Sequence, residues 1–124
     1  MRENIRLLSF LASLWLMLTP AVGNAGEAES AIRAKIDVYT KSIDAADPEL
    51  GATVWATTPQ SSFIHPLGHE RSWEAIKNNF YGKIMGGALK DRHLKLVGDP
   101  SIHVYGDSAV VEFDWDFTAV IKEG

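Results

Sequence analysis

Two of the chain's four histidines, His65 and His69, stand four residues apart in SSFIHPLGHERSWEAI, residues 61–76. An unperturbed imidazole titrates near pH 6.5, which suits proton transfer at neutral pH. His65 closes a strand-like run and is the candidate acid/base group. The competing reading is a histidine whose ring is satisfied by hydrogen bonds at a strand end. A metal centre needs at least a third ligand. His93, His103 and Glu70 are available, but nothing in the spacing gathers them, and Pro66 and Gly68 keep the His-x3-His pair off a helix. No metal and no cofactor are therefore expected. His69 falls in the turn, where an exposed residue anchoring that turn is the simpler reading.

Other polar and aromatic side chains stand where they could serve a site. Tyr39 falls on the apolar face of a helix, as core or as a phenol donating into a pocket. Phe113, Trp115 and Phe117 alternate with Glu112, Asp114 and Asp116. The aromatic row reads as the core side of a strand, able to wall an apolar ligand pocket. The acidic row reads as a solvated outer face, or as a polar subunit interface or an acidic wall meeting a cation.

The elements that must hold these residues follow from periodicity. Ile32, Ile36, Tyr39 and Ile43 recur on one helical face over about 27–46. Asp47-Pro48-Glu49 restarts a short helix, with Asp47 as cap and Pro48 at its first position. Leu50, Val54 and Trp55 are its apolar residues. A strand is expected over 61–65, stopped by Pro66 and Gly68. Ser72 caps a helix over 73–85 with Trp73, Ile76, Phe80 and Ile84 inward, ended by Gly86-Gly87. Strands follow at 93–97, 101–105 and 108–121, with a turn at Gly106-Asp107. Helices first and an antiparallel meander last make an α+β fold, a curved sheet covered on one face by helices.

The beginning of the chain reads differently. Arg2 and Arg6 precede an uncharged run, Leu7 to Thr19, then Pro20 and the small residues of Gly23-Asn24-Ala25. This is the pattern of a secretory signal peptide, residues 1–25, cleaved after Ala25. The run falls short of the ~20 apolar residues of a comfortable membrane span, so no membrane contact is expected once the leader is removed. Residues 26–124 then form one domain. Removing Arg2, Arg6 and Glu3 with the leader leaves 10 basic against 15 acidic residues, a net charge of −5. That balance argues against nucleic acid and anionic membranes as partners. An exported domain with no cysteine relies on packing or on a second subunit, and points to the periplasm or the secreted fraction.

Lys122-Glu123-Gly124 reads as the start of a turn, after a long strand whose evident partner, 101–105, is shorter. An exposed long edge is normally covered. The expectation is either a shortened reading frame or a partner that supplies the missing edge.

Three stretches carry a resemblance over about residues 28–121: YTKSIDAADPEL from Tyr39, FIHPLGHERSWEAIKNNFY from Phe63, and IHVYGDSAVVEFDWDF from Ile102. Together they resemble the nuclear transport factor 2-like superfamily, in its SnoaL-like branch. The resemblance implies a cone-shaped α+β barrel, three helices wrapped around a curved sheet and a deep apolar pocket, here lacking the last strands. It is similar to the ketosteroid isomerases at two positions. Tyr39 stands eight residues before Asp47, where those enzymes carry an oxyanion donor. His65 precedes Pro66-Leu67-Gly68, where they carry a carboxylate base. The resemblance implies an exported domain binding a small apolar or aromatic molecule. Tyr39 and His65 are its catalytic candidates for isomerase, lyase or hydrolase chemistry, and Trp55, Trp115, Phe113 and Phe117 line the ligand. The alternative is a non-catalytic association module of the same fold, a homodimer formed through the outer face of the sheet. A fragment without function is the third reading.

Overall fold

The computed structural model describes residues 25–123, so the expected leader lies, apart from Ala25, outside the described residues. The order is α1 (Ala25–Ala45), α2 (Pro48–Gly51), β1 (Phe63–His65), β2 (Gly68–Glu70), α3 (Trp73–Ala75) running into a π-helix (Ile76–Ala88), β3 (Leu89–Tyr105) and β4 (Ser108–Ile121).

α1 ends in a Schellman turn. Ala46 takes φ 52°, its N–H donates to Ile43 O at 3.0 Å, and Asp47 N–H donates to Ser42 O at 2.9 Å. These bonds satisfy carbonyls that a helix end leaves open. Asp47 then caps α2, its Oδ1 accepting from Glu49 N at 2.9 Å and Leu50 N at 3.1 Å. The second helix is a single turn, shorter than its apolar residues suggest.

The third helix departs from the expected 3.6-residue face. Ser72 Oγ caps it by accepting from Ala75 N at 3.0 Å. From Ile76 onward the chain winds with the wider i→i+5 repeat of a π-helix. Its buried residues are Ile76, Phe80, Tyr81 and Met85. Spacings of four to five bring Met85 into the core, beside Ile84, which packs against it as expected. Gly86-Gly87 lies within this helix and does not end it. A Cβ at Gly87 would stand 3.0 Å from Gly82 O, and one at Gly86 3.3 Å from Tyr81 O. Residues without a Cβ suit so close an approach to the preceding turn.

The sheet differs from expectation as well. Gly68–Glu70, expected as turn and helix approach, is a strand pairing with Phe63–His65 (Phe63↔Glu70, His65↔Gly68). The two expected strands at 93–97 and 101–105 are one, β3, paired antiparallel with β4 from Leu89↔Ile121 to Tyr105↔Ser108. Two irregularities bend it. Asp91 and Arg92 oppose Ala119 alone, and Gly98, Asp99 and Pro100 oppose Phe113 alone. Asp91 (φ 52°) and Gly98 (φ 74°) carry these bulges in left-handed conformation. Across them the inner face keeps its alternation, with Leu94 opposite Phe117, Leu96 opposite Trp115 and Ile102 opposite Val111.

The core is Ile43 of α1, Trp73, Ile76, Phe80, Tyr81 and Met85 of the third helix, and Leu94 of β3. Arg92 ties the layers together. Its Nε donates to Ile43 O and Asp44 O at 3.2 and 3.0 Å, and its Nη1 to Met85 O and Leu89 O at 3.0 and 2.7 Å. One guanidinium thereby caps the ends of two helices. Asp44 Oδ1 accepts from Leu94 N–H at 2.7 Å just beyond the bulge. The architecture is α+β, with two antiparallel hairpins and no closed barrel among the described residues.

Candidate functional site

A cavity of about 560 Å³ lies between the helices, the β1–β2 hairpin and the inner face of β3–β4. One wall is aromatic. Phe63 sits edge-on to Phe80 at 4.7 Å between centroids, and the His65 ring lies 5.2 Å from each. A second wall is aliphatic, from Ile43, Ile84, Met85, Leu89 and Leu94. β4 supplies Val111, Phe113, Trp115 and Phe117, the row that alternation predicts. Ile64 and Leu67, each 75% exposed, flank the mouth at the hairpin tip.

Tyr39 lines this cavity from α1 and packs 6.5 Å from the Phe113 ring. Burial, with a smaller contribution from Tyr81, pushes its phenol well above the usual tyrosine range. The group therefore stays un-ionised and can donate. Its hydroxyl makes no hydrogen bond among the described residues. The half-buried hydroxyl is free to donate to a ligand oxygen.

His65 is placed differently from a free base. Its side chain is 4% exposed, and Nε2 lies 2.9 Å from Glu70 Oε2. Nδ1 accepts from Leu67 N–H at 3.2 Å. An acceptor at Nδ1 puts the proton on Nε2, so the neutral ring donates to Glu70. Glu70 Oε1 accepts from Asn79 Nδ2 at 2.9 Å. The bonds from Asn79 and then His65 hold the Glu70 carboxyl below the ordinary glutamate range. Both ring nitrogens are engaged, although the ring faces the cavity. His69 bonds Ser62 Oγ through Nε2 at 2.6 Å and is half-buried, a brace across the hairpin.

Trp55 stands behind the wall, not on it. Its ring packs 5.1 Å from Phe63 and 6.1 Å from Tyr39. Its Nε1–H donates to Tyr81 Oη at 3.3 Å. Tyr81 Oη lies 2.7 Å from Ser42 Oγ, which donates to Tyr39 O at 2.7 Å. Donor order therefore runs Trp55, Tyr81, Ser42, then the Tyr39 carbonyl. Tyr81 and Ser42 were not singled out in the sequence. The one signal was Tyr81's place one residue past Phe80, which matters only in a π-helix.

The chain is similar to a solved structure described as a nuclear transport factor 2 (NTF2-like) superfamily protein from Salmonella enterica serovar Typhimurium. The two are 49% identical with a TM-score of 0.78, over 80% of this chain and 70% of that one. The chain belongs to the nuclear transport factor 2-like superfamily. No family model matches it, and no curated protein does. As in the cone of a nuclear transport factor 2-like domain, the cavity here opens between the helices and the concave side of the sheet. Among the described residues β3 and β4 pair only with each other, so the sheet does not close. Among the described residues no three His, Cys, Asp or Glu side chains form a group able to hold a metal ion. No described helix is long and apolar enough to cross a membrane.

Proposed function

We propose that this nuclear transport factor 2-like domain binds a small, largely apolar or aromatic molecule in its cavity, and that the Tyr39 phenol donates a hydrogen bond to it. One observation carries the reading: an apolar cavity of about 560 Å³ with an un-ionised, unpaired phenol on its wall. The volume falls within the range of small-molecule sites. Phe113, Trp115 and Phe117 contact the ligand, and Trp55 acts indirectly by holding the Tyr39 and Phe63 rings. With the leader removed, the domain meets its ligand in the periplasm or outside the cell.

Acid/base chemistry on the bound molecule is the finer reading, with Tyr39 as donor and His65 as base. It requires the hairpin tip to release Leu67 N–H from Nδ1, because that lone pair is spent as the domain stands. The test is a panel of neutral aromatic and alicyclic ketones and phenols, assayed for binding by calorimetry and for turnover. Tyr39→Phe should weaken a ketone about ten-fold, the equivalent of one hydrogen bond of ~1.4 kcal/mol. Equal affinity in that variant removes Tyr39 from the site. Turnover that survives His65→Ala removes the base.

Homodimerisation is a second reading, favoured by the outer face of the sheet, where Val97, Tyr105, Val110 and Val120 are exposed. Light scattering of the purified chain decides it.

A further inference from the structure

The turn at the cavity mouth is tied to the cavity wall through one lone pair. Pro66 and Leu67 join β1 to β2, and both line the cavity. Pro66 has no amide to donate. Leu67 donates its N–H to His65 Nδ1 at 3.2 Å, while its own side chain is exposed and packs little.

The ring that accepts this bond is held firmly. It lies 5.2 Å from the Phe63 and Phe80 rings and is almost wholly buried. Its Nε2 stands 2.9 Å from Glu70 Oε2 on β2, and Asn79 of the π-helix holds Glu70 Oε1. Three other titratable groups surround it. His69 on β2 bonds Ser62 and, when charged, acts on Glu70. Tyr39 of α1 is un-ionised on the same cavity. Glu112 of β4 borders that cavity and is exposed.

An imidazolium carries a hydrogen on both nitrogens and accepts nothing. Nδ1–H would then face Leu67 N–H, and either the ring or the turn must move. The ring stays, because its bond to Glu70 becomes charge-assisted. Glu70 remains ionised to receive it, since Asn79 and His65 hold its carboxyl below the ordinary glutamate range. The turn moves, because it has no second amide to bond and an exposed leucine.

We propose that His65 is a proton-operated latch on the cavity mouth: a proton taken up at Nδ1 releases Leu67, loosens the Pro66–Leu67 turn and weakens the hold of the cavity on neutral apolar molecules. The weakening has two sources. The turn no longer packs on the ligand, and an apolar wall has gained a charge that the ligand must help to desolvate. The ligand half rests on the small-molecule reading above; the latch half does not.

The experiment follows the nitrogen-labelled chain by NMR from about pH 8 to about pH 5, the range in which an imidazole changes charge. While the ring is neutral, His65 Nδ1 should show the shift of an accepting nitrogen and a coupling to the Leu67 nitrogen across the hydrogen bond. On protonation that coupling should vanish. Protection of the Leu67 amide, corrected for the intrinsic pH dependence of exchange, should fall about ten-fold, the scale of one hydrogen bond. His69→Gln should leave this transition in place and His65→Gln should remove it, with circular dichroism to show that both variants fold. Nile red, a neutral probe, should bind the native chain about ten-fold more weakly at the acid end, and His65→Gln should lose that dependence. A ring that stays neutral until the fold is lost, a neutral ring with its proton on Nδ1, a coupling that survives protonation, or a transition that follows His69 would each overturn the latch. A latch that opens with Nile red affinity unchanged would overturn its control of the cavity. No Nile red bound at any pH would remove the small-molecule reading, and the nitrogen spectra would still decide the latch.

Discussion

His65 and Glu70 form a diagonal pair across the β1–β2 hairpin, with Nε2 2.9 Å from Oε2 where the direct partner of Glu70 is Phe63. The carboxylate orients the imidazole, Asn79 orients the carboxylate, and Leu67 N–H takes the remaining ring nitrogen. The hairpin that rims the cavity is thus closed by a chain of side-chain bonds running back to the π-helix.

The first prediction concerns acid. Glu70 has its pKa lowered on folding, so its contribution to stability is present above the ordinary glutamate range and is lost as pH falls through the folded value. Glu70→Gln should therefore lower the melting temperature near neutral pH. The gap to the native chain should shrink as pH drops through 4.5, the unshifted glutamate value, toward still lower pH. Thermal melts across that range check it, and a constant gap would show that Glu70 acts by shape alone.

Gly51 and Tyr81 give a steric prediction. A Cβ at position 51 would stand 2.6 Å from the Tyr81 Oη, and both residues are buried. Gly51→Ala should cost about 1–3 kcal/mol, the usual range for overpacking. Tyr81→Phe should also destabilise, because it leaves Trp55 Nε1–H without its acceptor. The double variant should be more stable than the sum of the two losses predicts. A double-mutant cycle in urea measures that coupling.

Ala46 offers a gain. It holds φ 52° in the Schellman turn, a conformation that glycine adopts without the Cβ penalty. Ala46→Gly should raise stability by about 0.5–1 kcal/mol, read as a shift in the urea midpoint at unchanged slope. A loss would mean that the packing of its methyl against the core outweighs backbone strain.

Tyr39 and Tyr81 both have raised pKa values from burial. On alkaline titration they should ionise above pH 10, the ordinary tyrosine value, or only as the fold is lost. Phenolate absorbance in Tyr39→Phe and Tyr81→Phe assigns the late steps. Tyr39→Phe should leave stability near native, since its hydroxyl makes no bond to lose.

Period-2 alternation made the cavity side of β4 legible. Phe113, Trp115 and Phe117 line the cavity because nothing interrupts that strand. The inward face of the third helix was legible as far as Ile84, since Trp73, Ile76 and Phe80 are core and Ile84 packs on it, but its winding was not. Helical reasoning assumes 3.6 residues per turn, and the π-helix moves Met85 into the core and brings in Tyr81. Composition did not reveal that change of winding, although the glycines at 82, 86 and 87 that permit it were in view. Arg92 lies outside every expected element, and its role follows from the left-handed Asp91 and the bulge that redirects the chain there. His65 was found by its position before Pro66, but the partner that sets its tautomer, Glu70, lies on a strand that turn signals concealed. Trp55 was recognised as apolar, while its role behind Tyr39 depends on Tyr81, thirty-nine residues beyond Ser42.

Arg92 bears on how the molecule comes apart. Its guanidinium holds carbonyls of Ile43 and Asp44 at the end of α1, Met85 in the π-helix and Leu89 at the start of β3. Charge-assisted bonds of this kind are each worth roughly 1.5–3 kcal/mol. Opening any one of these three ends strands the others, so none can fray alone. The helix ends and the head of β3 should therefore open as one unit, with their amides exchanging more slowly than those of the β1–β2 hairpin. The β1–β2 hairpin shares no bond with Arg92, so its amides should exchange beneath that unit's threshold while the rest of the domain stays folded.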